Sequence, residues 1–167
     1  MTISLQRRQQ DANSLLRMMY NAVELDQHYD AIFFKTDDRR FAAIAPTTWR
    51  ELLSAGFIKA VDVRRSTYRL TGRGWIEGMK VADQTRLVRT RSSKLVAAVK
   101  KRVDRRSHLD EIVSVEDLAK ETKTSVGWCF NAINSGLLSH LFPGKQMDTT
   151  MDYPLVHIPP TFGHARR

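Results

Sequence analysis

Hydrophobic periodicity comes in two blocks, and the polar stretch between them at residues 82–92 is the feature that most constrains how this chain can fold. A chain of 167 residues makes one domain of ordinary size or two very small ones. With 42% hydrophobic residues it has the means to build a core. The stretch 82–92 reads as a short linker or the end of a connecting helix. No solenoid-period repeat and no low-complexity tract interrupts the two blocks.

In the first block, Leu5, Ala12, Leu15, Leu16, Met19, Ala22 and Val23 recur at three- and four-residue steps, one face of an amphipathic helix beginning between residues 4 and 11. Residues 31–45 stay ambiguous: two apolar runs flank the polar run 35–40, which suits a hairpin turning at Asp37-Asp38 or helix with a polar break. Thr48 with Glu51 three residues on predicts a capping box. Trp49, Leu52 and Leu53 give that helix an apolar face, and Gly56 is placed to end it. Residues 57–63 then read as a strand, 64–66 as a turn and 67–70 as the returning strand. Thr71 is placed to cap a helix presenting Trp75, Ile76 and Met79.

The second block opens with a helix over residues 93–105, whose apolar positions are Leu95, Val96, Val99 and Val103. Residues 113–115 form a short extended piece, and Ser114 caps a helix with Glu116 and Asp117 in its first turn, where acids favour the macrodipole. Lys123-Thr124-Ser125 makes a turn, and Ser125 caps a helix carrying Val126, Cys129, Phe130 and Ile133 on its inward side. That leaves Gly127, Trp128, Asn131 and Asn134 outward, with a place in the core as the alternative for Trp128. Gly136 ends the helix. Residues 137–142 and 153–158 read as strands joined by a loop opened by Pro143-Gly144.

Charge narrows the function. Lys and Arg number 27 against 18 Asp and Glu, a net charge of +9. Residues 84–106 hold nine cations (Arg86, Arg89, Arg91, Lys94, Lys100, Lys101, Arg102, Arg105, Arg106) and one acid, Asp104, a local charge of +8. Such a segment attracts polyanions through counterion release, independent of sequence. The simpler alternative is a solvated helix face.

Residues 115–138, Val-Glu-Asp-Leu-Ala-Lys-Glu-Thr-Lys-Thr-Ser-Val-Gly-Trp-Cys-Phe-Asn-Ala-Ile-Asn-Ser-Gly-Leu-Leu, resemble the helix-turn-helix of winged-helix DNA-binding proteins. Ala119 lets two helices approach, a polar turn follows, and the second helix closes on Ala-Ile-x-x-Gly-Leu-Leu. The family usually carries Gly where Lys123 sits, and Lys accepts a positive φ poorly. In the first block, Ser54-Ala55-Gly56-Phe57-Ile58 followed by Tyr68-Arg69-Leu70-Thr71-Gly72-Arg73-Gly74-Trp75 is similar to the helix end, wing and closing helix of the same family. The resemblance implies a mostly α protein with short β-hairpin wings (α+β), two winged-helix units in tandem over residues 1–82 and 93–167 with a basic linker at 83–92. It implies that the third helix of each unit enters the major groove. The readers are then Lys123, Thr124, Ser125, Gly127, Trp128 and Asn131 in the second unit, and Thr47, Thr48 and Arg50 in the first. Arg64, Arg65 and Arg69 lie on a wing that tracks phosphates, with Arg86, Arg89, Arg91, Lys94, Lys101 and Arg105 adding backbone contacts.

Other chemistry finds little support. No phosphate loop and no dinucleotide fingerprint occurs, and the glycines of residues 70–74 suit a helix start. His28, His108, His140, His157 and His164 lack the spacing of paired metal ligands. Asp37-Asp38 and Glu116-Asp117 suit a turn and a helix start. Cys129, the single cysteine, suits a small core filler, and one cysteine allows no internal disulfide. No apolar run reaches 18 residues, and residues 1–10 lack a signal-type apolar core, so a cytoplasmic protein is expected. The expectation is therefore sequence-specific binding of double-stranded DNA by a transcriptional regulator, with no cofactor and no enzyme activity. A homodimer or a larger complex is the other partner expectation. A basic winged-helix adaptor working through protein contacts is the alternative.

Overall fold

The computed structural model describes residues 4–25, 33–102, 111–135, 147–148 and 155–158. Within them each half runs helix, strand, helix and two strands; the first adds a 3-10 turn and a closing helix, the second a further helix between its strands. The first half runs α1 (Leu5–Leu25), β1 (Phe34–Lys35), a single 3-10 turn (Arg39–Phe41), α2 (Pro46–Ser54), β2 (Ile58–Asp62), β3 (Thr67–Leu70) and α3 (Gly72–Val81). The second runs α4 (Thr85–Arg102), β4 (Glu111–Ser114), α5 (Val115–Thr122), α6 (Val126–Asn134), β5 (Met147–Asp148) and β6 (Leu155–Ile158). Both sheets are antiparallel and place the last strand in the middle, in the orders β1-β3-β2 and β4-β6-β5. The described chain is thus mostly helical with two small sheets, an α+β arrangement.

Local chemistry explains most boundaries. Thr71, Ser114 and Ser125 each accept a hydrogen bond from the backbone N–H three residues on, at Gly74, Asp117 and Trp128; each cap contributes about 1 kcal/mol. The capping box expected at Thr48 and Glu51 does not form. α2 begins instead at Pro46, whose ring presets a helical φ at the first position, and this leaves Thr48 inside the first turn and buried. Gly56, at φ +75°, ends α2: its N–H reaches the Leu53 carbonyl, and the Phe57 N–H reaches that of Leu52. Asp83 and Lys123 close α3 and α5 with the same two bonds and the same left-handed backbone, without a glycine's freedom.

The ambiguous segment before α2 resolves into β1 and the 3-10 turn, whose Phe41 packs edge-on between Phe34 and Trp49 at ring distances of 5.7 and 5.5 Å. The stretch expected as a linker is helical from Thr85, and α4 carries Val88 and Ser92 into the interior. The strand expected at residues 137–142 and the helix end at Gly136 lie outside the described residues, and the loop opened by Pro143-Gly144 is described only at Met147–Asp148, which form β5 instead of loop because they pair with β6. Arg105, Arg106, His28, His108, His140 and His164 also lie outside the described residues.

The buried residues of both halves form one continuous cluster. Its centre is Trp75 of α3, 5.9 Å from Tyr20 of α1 and 6.4 Å from Trp128 of α6. Burial and the neighbouring Glu24 carboxylate push the Tyr20 hydroxyl well above the usual phenol range, so it stays protonated and donates to Glu24 Oε1 at 2.9 Å. Two glycines let the halves meet backbone to backbone. A β-carbon on Gly127 would stand 2.5 Å from the Val23 carbonyl oxygen, and one on Gly72 would stand 2.8 Å from that of Ser135.

Candidate nucleic-acid interface

α2 and α6 are each the last helix before a pair of antiparallel strands, yet only α2 offers a surface. The expectation that Gly127, Trp128 and Asn131 face outward is corrected: all three are buried, and so is Ser125. Gly127 rests on α1 at Val23. Trp128 lies against Trp75, with the Arg91 guanidinium over its ring at 5.8 Å from the centroid. Asn131 donates to the Gly127 carbonyl of its own helix at 2.8 Å. Ser125 caps α6 and donates to the Val23 carbonyl at 3.3 Å. Burial pushes the Cys129 thiol up to about 12, which keeps it protonated and unreactive. Of the four residues expected outward, Asn134 alone is exposed.

α2 buries Thr48, Trp49 and Leu52 and leaves Thr47, Arg50, Leu53 and Ser54 exposed. Trp49 stacks at 5.6 Å on Tyr68 of β3, which fixes the helix against the hairpin. At the hairpin tip Asp62 Oδ1 accepts the backbone N–H groups of Arg64 and Arg65 at 3.0 and 3.3 Å, so the turn is ordered while both side chains stay exposed. Arg65 also sits 3.6 Å from the second Asp62 oxygen. Arg50 and Arg64 form no ion pair among the described residues. Thr48, expected as a reader, is withdrawn from this surface by the early start of α2.

One further cation belongs here. Lys59 lies directly across the ladder from Arg69, a like-charge pair that costs stability unless an anion answers it. Desolvation and then Arg69 hold the Lys59 amine below its ordinary range. Residue order alone does not reveal the pair, because the irregularity between Ala60 and Asp62 is what sets Lys59 opposite Arg69. Arg69 itself is half-buried, with its guanidinium 6.0 Å from the Phe130 ring of α6, so it joins the halves as well as facing Lys59.

The cations of α4 divide. Arg91 and Arg102 flank the buried stripe and are engaged: Arg91 with Glu24 at 2.8 Å, Arg102 with Glu121. Lys101 stands 3.8 Å from Glu121. Arg86, Arg89, Lys94 and Lys100 are exposed, and none has an acidic partner among the described residues. Lys123 and Thr124 line an open groove of ≈ 590 Å³ beside Glu24, Arg91 and Lys120. Thr124 shares a 2.9 Å hydrogen bond with Thr122.

Among the described residues no cluster of His, Cys, Asp and Glu could hold a metal ion, and no helix is long and apolar enough to cross a membrane. No protein-family model, curated protein or solved structure matches this chain.

Proposed function

We propose that this chain is a pair of winged-helix units that binds double-stranded DNA with sequence preference, as a regulator of transcription does, and that the first unit alone reads the base sequence. The observation that carries the reading is the open outer face of α2, with Thr47 and Arg50 exposed beside a hairpin tip bearing Arg64 and Arg65. A helix of about two turns with a cation and a hydroxyl near its start suits the major groove, where Arg meets guanine edges. A basic hairpin beside it suits the phosphate backbone, which positions the helix without specifying sequence. The strand order repeated in both halves supports the winged-helix assignment. In the second unit the groove-reading helix has become the joint between the units.

A second reading has one observation in its favour. Val61 and Val63 are 49% and 80% exposed next to Arg64, and an apolar hairpin flank suits a protein partner. The chain would then be a basic adaptor in a nucleic-acid-associated complex.

Selection of duplexes from a random pool at two salt concentrations, with the wild type and Arg50→Ala, separates these readings. DNA reading predicts a recovered motif for the wild type and relaxed preference at one position for Arg50→Ala. Recovery of no motif at either salt concentration would favour the adaptor.

A further inference from the structure

α4 presents a second electropositive surface that the reading surface does not use. Its 18 residues contain no acid. Val88, Ser92, Leu95, Ala98 and Val99 form its buried stripe. At 100° per residue, Arg86, Arg89, Lys94 and Lys100 fan across the opposite side, and all four are exposed. Arg86 and Lys100 are 14 positions apart, which spans about 21 Å of helix. A duplex strand passes one phosphate every ~3.4 Å of its axis, so the cations run along about six phosphate levels. A row of lysine and arginine without acids matches a polyanion backbone and reads no bases.

This surface stands away from α2. Arg8 of α1 faces Glu51 of α2 at 3.9 Å, and Glu24 of α1 holds Arg91 of α4 at 2.8 Å. Arg8 and Glu24 are 16 positions apart on one unbroken helix, about 24 Å along its axis. α1 therefore works as a spacer between the two basic surfaces, and the buried Trp75–Trp128 contact keeps the halves from reorienting.

We infer that the outer face of α4 binds the phosphate backbone of a second duplex segment, so that one molecule links two duplexes. The inference rests on duplex binding by α2 and the hairpin. The test uses the full chain, a duplex fixed to beads and a fluorescent duplex of the same sequence in solution, at low salt. Wild type is expected to retain the fluorescent duplex on the beads. A variant with Arg86→Gln, Arg89→Gln, Lys94→Gln and Lys100→Gln keeps helix propensity. It is expected to lose at least tenfold more in retention of the fluorescent duplex than in single-duplex affinity, with an unchanged preferred sequence. Retention equal to wild type by the variant would overturn the inference, since a dimer linked through its α2 faces would behave so. A wild type that binds one duplex and never retains a second would overturn it too. Loss of single-duplex affinity in step with retention would place the stripe on the same duplex as α2. Absence of any duplex binding would remove the proposed function along with this inference.

Discussion

α2 and α6 are each nine residues long and each is the last helix before a pair of antiparallel strands, yet they have opposite surfaces. α2 carries Arg50 and Glu51 and shows solvent one whole side. α6 carries no charged residue, and eight of its nine positions are buried. A helix apolar all round is packed all round. A similar position ahead of a strand pair therefore does not confer a similar surface. In α6 that face carries Gly127 and Trp128, which pack against α1 and α3, and Asn131, which donates within its own helix.

The contrast breaks most readily at Trp128. Truncation to Ala empties a fully buried site between the halves, and a loss of about 3–5 kcal/mol in denaturant unfolding is expected. Arg50→Ala, on the open face of α2, should change stability by no more than about 0.5 kcal/mol. A cost below 1 kcal/mol for Trp128→Ala would mean that α6 is not the joint described. Gly127→Ala comes next. Its added carbon meets the Val23 carbonyl of another helix, where neither backbone can retreat cheaply, and overpacking of this kind costs about 1–3 kcal/mol. A neutral result would show that the halves are free to shift apart.

Cys129 sharpens the comparison through pH. Its thiol holds its proton up to about 12 in the folded chain, against an ordinary 9.0. The unfolded chain releases that proton first, so stability is full below pH 9 and falls as pH rises toward the folded value. The slope approaches about 1.4 kcal/mol per pH unit. In Cys129→Ala that share of the slope should vanish in unfolding curves taken from pH 8.5 to 10.5; an unchanged slope would place the thiol in water. The smallest effect concerns the turns that end the helices before each joint. Lys123 occupies the left-handed region at φ +54°, where Gly56 stands at the end of α2 at φ +75°. Lys123→Gly should gain up to about 1 kcal/mol, and Gly56→Ala should lose about as much. Thermal unfolding of both variants measures the pair, and a destabilising Lys123→Gly would mean that its side chain matters more than its backbone.

What could be read from residue order alone was local. The caps at Thr71, Ser114 and Ser125 and the hairpin over residues 58–70 depend on neighbours within a few positions. Two failures had local remedies. Pro46 outranks Thr48 as a helix start because its φ is already fixed. The absence of charge in Val-Gly-Trp-Cys-Phe-Asn-Ala-Ile-Asn signals burial more strongly than three- and four-residue spacing signals an outward face. Other features were beyond local reading. Residues 85–92 looked like a linker because their buried positions are one Val and one Ser. Arg91 looked like a phosphate ligand because its partner, Glu24, lies 67 residues away. Only the folded chain, in which α3 packs on both α1 and α4, brings them together.

That α2 reads duplex DNA while α6 does not is the proposal on which the rest depends. It is tested most directly by the ratio of affinities for the selected duplex over a random one, measured for wild type, Arg50→Ala and Asn134→Ala, the last at the exposed polar position of α6. Arg50→Ala is expected to lower the ratio by about 1–3 kcal/mol while Asn134→Ala leaves it within error. A ratio lost with Asn134→Ala and kept with Arg50→Ala would contradict it.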